Sequence, residues 1–339
     1  MMTITNQTSA EVTARKATMA EIHALWLEYG NIWLWQDPFV TPPWLKSWWN
    51  TWPGDNEQLL IVISASGSPV GIAPLMSRNG SARFIGSADL CDTGDFIVAP
   101  GYQNLFFTGM LRFLESEGIH RLVLEPVRPD SQVCLELVGI ARANEWQVSL
   151  DSQGASIQMA LPANWEEYLQ KLDRKQRHEV RRKLRRLGEA GDLGQYNVRK
   201  PGETESAMDM FVQLFRQSRK DKKAFMNKQR ERFFRTLAAE LAREQMLNLL
   251  CLTIDNVPAA AVFCIENGKT VYLYNNGFNP RFRGISMGVA SKLLTIRSSI
   301  ESGQLVYDFL NGTERYKYHL GGTEVPLSRC IIERTKKSS

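Results

Sequence analysis

The sequence of 339 residues has few of the side chains that build metal centres or disulfide frameworks, and it has no long hydrophobic run. It contains four histidines and five cysteines, and neither set has the close spacing of a metal-ligand motif. An odd number of widely spaced cysteines favours free, buried thiols in a reducing compartment. The longest apolar run that we find, residues 257–265, is much shorter than the roughly 20 residues of a membrane-spanning helix. The polar N-terminus has no apolar stretch with basic flanks, so we expect a cytoplasmic protein with no metal, secretory signal or membrane span.

The composition is that of an ordinary folded protein. Hydrophobic residues make up 43% of the chain and charged residues 23%, with a net charge of +5. These values exclude a disordered or collagen-like chain. At about 150 residues per domain, the length predicts about two domains.

Two segments about 190 residues apart share one pattern. Residues 59–75 and 249–265 each contain a β-rich run, a turn that ends in proline, and a second apolar run. Glycine, serine, asparagine and aspartate supply the turns, and the prolines are Pro69 and Pro258. Each segment therefore predicts a β-hairpin.

The elements around the two hairpins also repeat. In the first half, Thr18 and Glu21 form a capping box that begins a helix, and Pro42 occupies the first position of a second helix. The order β-α-α-β-β-β-α-β is predicted for both halves. The other elements expected in the first half are strands at 12–17, 83–98 and 121–127 and a helix at 103–117. In the second half they are strands at 196–200, 270–275 and 305–310 and helices at 205–220, 229–244 and 287–302.

This order is the one that the GNAT acyltransferase fold uses, and four segments make the resemblance more specific. They are residues 39–44 with Trp48 and Trp49, residues 71–75, residues 174–187, and residues 307–312 followed by Glu314, Tyr316 and Lys317. Together they resemble the cellulose-biosynthesis-type acetyltransferases of the GNAT superfamily, relatives of the Fem-type peptidoglycan transferases, over residues 24–320. The resemblance implies an α/β (α+β) fold of two tandem GNAT-like domains, each with a mixed, mostly antiparallel central sheet flanked by helices.

The expected division has four parts. They are a flexible N-terminus at 1–10, an N-terminal GNAT-like domain at 11–162, a basic helical connection at 163–194 and a C-terminal GNAT-like domain at 195–335. The turn of the first half at 99–104 has one glycine and no arginine pair, unlike its counterpart at 281–288. This asymmetry favours a degenerate first copy and a phosphate site in the second.

The turn at 281–288 is the most informative chemical motif. It follows a predicted strand and enters a predicted helix, where backbone N–H groups and the helix dipole favour phosphate. Two arginines add charge, and two glycines permit close approach. The spacing is similar to the GNAT pyrophosphate loop, although Ser286 stands where a smaller residue is usual. The expected acyl-CoA contacts are Arg281, Arg283, Gly284, Ile285, Ser286 and Gly288. The structural alternative is a plain helix start with two surface arginines.

The catalytic candidates are Asp308, Tyr316 and Lys317. Asp308 lies in an apolar run, where burial would raise its pKa and suit it to accept a proton near neutrality. Lys317 is a candidate ion partner for Asp308, or a ligand for a substrate phosphate or carboxylate. Tyr316 is a candidate proton donor to the leaving sulfur. The alternative is a buried Asp–Lys pair that only joins a strand to a loop. No spacing supports a Ser-His-Asp or cysteine nucleophile.

Three further residues are candidates for substrate contacts: Tyr274, Arg219 and Trp44. Tyr274 ends the strand before the basic turn, with ordinary strand packing as its alternative. Arg219 follows a helix and suits a substrate carboxylate, or is a surface arginine. Trp44 suits a sugar or an acyl chain, but it shares a helix face with Trp48 at the spacing of core residues.

Residues 171–187 carry nine Lys or Arg and two acidic residues, a net charge of +7, so the remainder of the chain has a net charge of −2. Clustered basic residues suit contacts to phosphate, which indicates RNA, including tRNA, as one partner. Anionic lipid or a polyanionic substrate is a second candidate. A solvated helix between domains is the structural alternative.

The resemblance implies an N-acyltransferase that moves an acyl group from acetyl-CoA or another acyl-CoA to an amine. The acceptor is expected to be a small molecule, a sugar or a cell-envelope precursor. A Fem-type transferase that uses aminoacyl-tRNA is one alternative. A non-catalytic GNAT-fold protein of polysaccharide biosynthesis is the other.

Overall fold

The computed structural model describes residues 11–33, 35–87 and 89–334. The expected flexible segment 1–10 and the end of the expected domain at residue 335 lie outside these residues. Contacts divide the chain into two compact units. Unit 1 comprises residues 1–153 and 326–339, and unit 2 comprises residues 154–325. Residues 163–194 therefore fold with unit 2.

Unit 1 contains the first half of the predicted repeat. Its strands are β1 (Val12–Lys16), β2 (Glu57–Ala65), β3 (Ser68–Arg78), β4 (Ser81–Phe84), β5 (Ile97–Val98) and β6 (Arg121–Val127), followed by the start of β7 (Gln147–Ala160). Its helices are α1 (Met19–Tyr29), α2 (Pro42–Trp49), α3 (Gln103–Ser116) and α4 (Val138–Ala143), with a π-helical turn at Val133–Leu137.

Unit 2 contains the second half. Its helices are α5 (Trp165–Lys171), α6 (Arg174–Gly188), α7 (Thr204–Ser218), α8 (Lys220–Phe225), α9 (Lys228–Arg243), α10 (Met287–Glu301) and α11 (Arg315–His319). Its strands are the end of β7, then β8 (Leu193–Val198), β9 (Leu247–Ile254), β10 (Val257–Asn267), β11 (Thr270–Phe278) and β12 (Val306–Asn311). The last strand, β13 (Thr323–Glu333), begins in unit 2 and ends in unit 1.

Five strands follow the same order in the two sheets, which confirms the predicted repeat and the tandem fold, whereas the sixth strand comes last in the chain in unit 1 and first in unit 2. In unit 1 the strand order is β1-β2-β3-β4-β6-β13, with β5 paired to β3. In unit 2 it is β8-β9-β10-β11-β12-β7. In each sheet one neighbouring pair is parallel, β4 with β6 and β11 with β12, and the other pairs recorded are antiparallel. Both sheets are therefore mixed and mostly antiparallel.

Both predicted hairpins form, with turns of two residues. Ser66 and Gly67 have φ values of 48° and 83°, and Asp255 and Asn256 have 50° and 62°. Positive φ at both positions is the geometry of the turns whose twist matches paired strands. The prolines were expected to end the turns. They lie instead one residue inside β3 and β10, because the turns need only two residues.

The helix starts were also predicted by local chemistry. Thr18 and Glu21 form the expected capping box of α1, and α2 begins at Pro42. The single strand expected over residues 83–98 was wrong, because the described residues of this segment pair only in β4 and β5. No helix in the described part of the chain is both long and apolar enough to cross a membrane.

Candidate functional site

A β-bulge lies in the middle of β11. In the pairing of β10 with β11, Tyr274 is an extra residue between the partners of Phe263 and Cys264. The parallel pairing of β11 with β12 runs as far as Tyr272 and Asp308, and the bulge follows at once. A bulge bends its strand and re-aims its side chains. It therefore sets the direction of the end of β11, which leads to the basic turn.

The basic turn begins with a 3-10 helix at Pro280–Ile285. The side chain of Asn279 starts this helix by accepting a hydrogen bond from the N–H of Arg281 at 3.0 Å. Arg281 and Arg283 are exposed. Both guanidinium groups are thus available to an anion that approaches from solvent.

Ser286 connects this short helix to α10. It has the left-handed conformation, with φ 59° and ψ 39°. Its carbonyl oxygen accepts the N–H groups of Val289 and Ala290 at 2.9 and 3.0 Å. The chain therefore enters α10 abruptly, and the positive end of the helix dipole lies beside the two arginines.

Two glycines of the turn have different surroundings. A Cβ added to Gly284 would meet nothing within 4 Å, and Gly284 is exposed. A Cβ added to Gly288 would lie 3.1 Å from ring atoms of Phe278 at the end of β11. Gly288 therefore permits the start of α10 to pack on β11, whereas Gly284 leaves open space at the turn.

The irregular end of β12 is held by two of the predicted catalytic residues. Leu310 has φ 60°, a backbone conformation that residues other than glycine rarely adopt. Its N–H donates to Oδ1 of Asp308 at 2.7 Å, and its carbonyl accepts from Nζ of Lys317 at 3.1 Å. Lys317 also donates to the carbonyl oxygens of Asn311 and Gly312 at 2.6 and 3.0 Å. Both side chains are buried, and they hold a backbone conformation that is strained on its own.

Lys317 forms an ion pair with Glu314 at 3.0 Å. Burial opposes ionisation of Glu314, but the hydrogen bond and charge of Lys317 outweigh it and lower the pKa of that carboxyl below its usual value. The Glu314 side chain is 56% exposed. It is therefore an ionised carboxylate at the boundary between the interior and solvent.

Tyr316 lies between an open cavity and a buried lysine. The cavity has a volume of about 290 Å³ and lies between α6, the start of α10 and α11, where Val180, Val289 and Tyr316 are among its lining residues. Burial, with a smaller contribution from Glu314, raises the pKa of the Tyr316 phenol. The phenol therefore stays protonated at neutral pH and is a hydrogen donor.

Lys292, which the sequence reasoning missed, lies on the other side of this tyrosine. Its Nζ is 4.7 Å from the ring centre of Tyr316 and donates to the carbonyl oxygen of Gly288 at 2.6 Å. Lys292 is only 4% exposed. Burial, and next the charge of Lys222, lower the pKa of Lys292 to about 7.

Lys222, on α8, was also missed. Its Nζ donates to the carbonyl oxygen of Asn276 at 2.5 Å and lies 4.6 Å from the ring centre of Phe215. Burial, and next the charge of Arg219, lower the pKa of Lys222 to about 8. One sequence signal for this site existed: Lys292 occurs among the buried positions of α10, where a lysine is unusual.

The substrate candidates are dispersed. Tyr274 is buried and stacks on Phe234 at 5.4 Å between ring centres. Arg219 is 62% exposed and pairs with Asp221 at 2.7 Å. Trp44 lies in unit 1, where it is fully buried. Tyr274 and Trp44 are therefore packed in the interior, and Arg219 lies at the surface.

Helix α6 forms one wall of the cavity and belongs to the core of unit 2. Val180 and Leu187 are buried in that core. Glu179 accepts hydrogen bonds from Arg182 and Lys183, which lower the pKa of its carboxyl to about 2. One side of the helix therefore packs on the core through Val180 and Leu187, and another side carries the ion pairs of Glu179 within the helix.

The outer face of α6 is strongly basic. Arg181 and Arg185 are 62% and 70% exposed, and their ion-pair distances to Glu166 and Glu189 are long, at 3.9 and 3.6 Å. This face therefore presents cationic groups to solvent, on the side of α6 away from the residues that line the cavity.

The cysteines are free thiols, as expected, and four of the five are buried. In the part of the chain that the structure describes, no group of three or more His, Cys, Asp or Glu is arranged to hold a metal ion.

Residues 174–318 match the family model described as the acetyltransferase (GNAT) domain. The match includes α6, the basic turn, Lys222, Lys292 and Tyr316. No curated protein sequence matches the chain.

Solved structures of low sequence identity share the fold. The crystal structure of FemX has a TM-score of 0.65 at 12% identity, over 93% of this chain and 96% of that chain. The C-terminal domain of a putative lysylphosphatidylglycerol synthetase from Agrobacterium fabrum has a TM-score of 0.60 at 12% identity, over 93% and 92%. A tandem GNAT protein from the clavulanic acid biosynthesis pathway has a TM-score of 0.50 at 13% identity, over 96% and 100%. The chain therefore has a tandem GNAT fold with an acetyltransferase-type domain in residues 174–318.

Proposed function

We propose that the protein is an N-acyltransferase that moves an acyl group from an acyl-CoA to an amine. The observation that carries this proposal is the basic turn at 281–288, which leads into α10 beside the cavity lined by Tyr316 and lies within the matched acetyltransferase domain. Arg281, Arg283 and the start of α10 are assigned to the pyrophosphate. The cavity is assigned to the arm that carries the acyl group.

The transfer needs a neutral amine, a positioned carbonyl and a protonated leaving group. The amine nitrogen forms a bond to the acyl carbon, the carbon–sulfur bond breaks, and the amine loses one proton overall. Tyr316 is assigned to give its phenolic proton to the leaving sulfur, since its raised pKa keeps it protonated, and the proton that the amine loses then restores the phenol through solvent. Asp308 and Lys317 are assigned as positioning residues, because their bonds hold the turn at Leu310 that precedes Tyr316.

The expected acceptor and cellular setting are part of this proposal. The acceptor is an amine of a small molecule, a sugar or a cell-envelope precursor, and the setting is cytoplasmic polysaccharide biosynthesis of the cellulose type. The division into a degenerate copy at 11–162 and a copy with the phosphate-binding turn at 195–335 is likewise proposed, with the basic helical connection at 163–194 folded against the second copy.

Replacing Gly284 by glutamate tests the phosphate site. The open space at this glycine lets the variant fold, while a carboxylate at the turn repels the phosphates. We expect the Kd for acetyl-CoA to rise about 10- to 100-fold, measured by isothermal titration calorimetry. Gly284→Ala is the control and should bind like the wild type. Equal affinity of all three proteins for acetyl-CoA and for a long-chain acyl-CoA would contradict the proposal.

The exposed basic face of α6 favours one alternative, a transferase that takes its donor from aminoacyl-tRNA. Contacts to RNA phosphates make affinity strongly dependent on salt. If this alternative holds, tRNA binding should weaken about 10³-fold between 50 and 200 mM salt. The variant Arg181→Gln/Arg185→Gln should then reduce the slope. Tight acyl-CoA binding together with a flat salt response to tRNA would reject the alternative.

A further inference from the structure

Three lysines from different elements of unit 2 interact electrostatically with one carboxylate. Lys222 belongs to α8, Lys292 to α10 and Lys317 to α11, and Glu314 immediately precedes α11. Glu314 pairs with Lys317 at 3.0 Å and also acts electrostatically on Lys222 and Lys292. We call these four residues the lysine cluster.

The hydrogen bonds and ring contacts of two of these lysines involve neutral groups. Lys222 and Lys292 each donate to a backbone carbonyl oxygen and each lie over an aromatic ring. Carbonyl groups and rings orient an ammonium group, but they do not cancel its charge. The charge balance of the cluster therefore depends on its carboxylates.

The cluster has an excess of positive charge when its lysines are protonated. Glu314 forms an ion pair with one lysine and acts electrostatically on the other two, and the excess is still one charge when Asp308 is included. Arg219 and Asp221, which also act on Lys222, form an ion pair with each other. A positive excess in the interior is costly unless an anion compensates it.

Other titratable neighbours do not supply that anion. Cys264, on β10, acts on Lys292, but burial raises the pKa of its thiol to about 12, so it is neutral. The exposed side of Glu314 connects the cluster to solvent. Lys222 is half-buried, so an anion from solvent would meet it before Lys292, which is 4% exposed.

The position of the cluster connects it to the proposed reaction. Lys222 holds the carbonyl of Asn276 at the end of β11, and Lys292 holds that of Gly288 in the first turn of α10. The ring of Tyr316 has Lys292 near its face and also lines the cavity. A ligand group bound by the lysines would thus lie close to the residue assigned to protonate the leaving sulfur.

We infer that the lysine cluster binds a carboxylate or phosphate group of the acceptor, so that the acceptor is an amine that also carries an acidic group. The acceptor part of this inference rests on the proposed function. Anion binding by the cluster does not depend on it and is tested separately.

The first test uses acetate and inorganic phosphate as probes. Each is titrated into the full chain at pH 8 by calorimetry, with KCl holding the ionic strength constant, in two buffers of different ionisation enthalpy. Because a bound anion favours the charged lysine, we expect saturable binding with uptake of about one proton per anion. Heats that match a KCl titration of equal ionic strength would overturn the inference.

Matched variants show which residues bind the anion. Lys292→Met and Lys222→Met should each weaken binding about 10- to 100-fold, and Lys292→Met should also abolish most of the proton uptake. Lys223→Met removes an exposed lysine from the same helix as Lys222 and should bind like the wild type. Equal anion binding by all four proteins would place the anion elsewhere and reject the cluster.

Two further arms identify the source of the anionic group. If saturating CoA prevents phosphate and acetate from binding, the lysines serve the phosphates of the donor, and the acceptor assignment is wrong. In transfer assays, β-alanine should be preferred over n-propylamine about 10- to 100-fold, and Lys222→Met should remove this preference. Absence of transfer to any amine would count against the proposed function, whereas absence of anion binding would count against the cluster.

Discussion

Replacing Lys292 by methionine should raise the free energy of unfolding at pH 7 by about 2–5 kcal/mol. Lys292 is 4% exposed, and burial lowers its pKa to about 7. Methionine has a similar length and no charge, so it fills the same space without the cost of a buried ammonium. A residue that costs stability and lies beside a candidate site is expected to be retained for function.

The pH dependence of this effect has a definite sign. The usual lysine pKa is 10.5, and the folded value is about 7. Between these two pH values the unfolded chain holds a proton that the folded chain has released, so the stability of the wild type rises with pH. The advantage of the methionine variant should be complete below pH 7 and disappear above about pH 10.5.

Urea unfolding of Lys292→Met and the wild type across this pH range measures the difference. Lys223→Met is the control, because removal of an exposed lysine should change stability by less than about 0.5 kcal/mol. A Lys292→Met protein that is no more stable than the wild type at pH 7 would show that Lys292 is not a costly buried charge.

Replacing Tyr316 by phenylalanine should lower kcat about 10²- to 10³-fold with little change in acyl-CoA affinity. The ring remains to line the cavity and to face Lys292, so the change removes only the hydroxyl. Loss of proton donation to the leaving sulfur acts on the chemical step and not on donor binding.

Tyr318→Phe is the matched control, since Tyr318 is half-buried and its phenol hydrogen-bonds to Glu324, away from Lys292. It should retain wild-type kcat. Steady-state kinetics with acyl-CoA and calorimetry on the same variants separate rate from binding. If Tyr316→Phe keeps full kcat, the proton for the thiolate comes from another group.

Much of the fold follows from local patterns. The two hairpins, the capping box at Thr18 and the proline start of α2 depend on residues within a few positions of one another. Their repetition at an offset of about 190 residues predicts that the same unit occurs twice, and the shared order of five strands in the two sheets confirms it. The strand expected over 83–98 failed because an apolar stretch does not by itself show where ladder pairing stops.

In the candidate site, too, the part formed by adjacent residues was predicted and the part formed by distant residues was missed. The basic turn at 281–288 was predicted because its arginines, glycines and helix start are adjacent in the sequence. The lysine cluster was missed because its members lie on separate helices, up to 95 positions apart from Lys222 to Lys317. Lysines are common on surfaces, and nothing local to Lys222 distinguishes it from the exposed Lys223 beside it.

The sequence by itself determined the repeat, the order of its elements and the place of the basic turn, because hydrophobic period, turn residues and helix caps act over short distances. Only the tertiary structure decided what the charged residues do. Asp308 became a support for the backbone of Leu310, and Lys292 became a buried charge over Tyr316. The reason is physical: desolvation and charge interactions depend on which elements pack together, and that packing brings distant residues within a few ångströms.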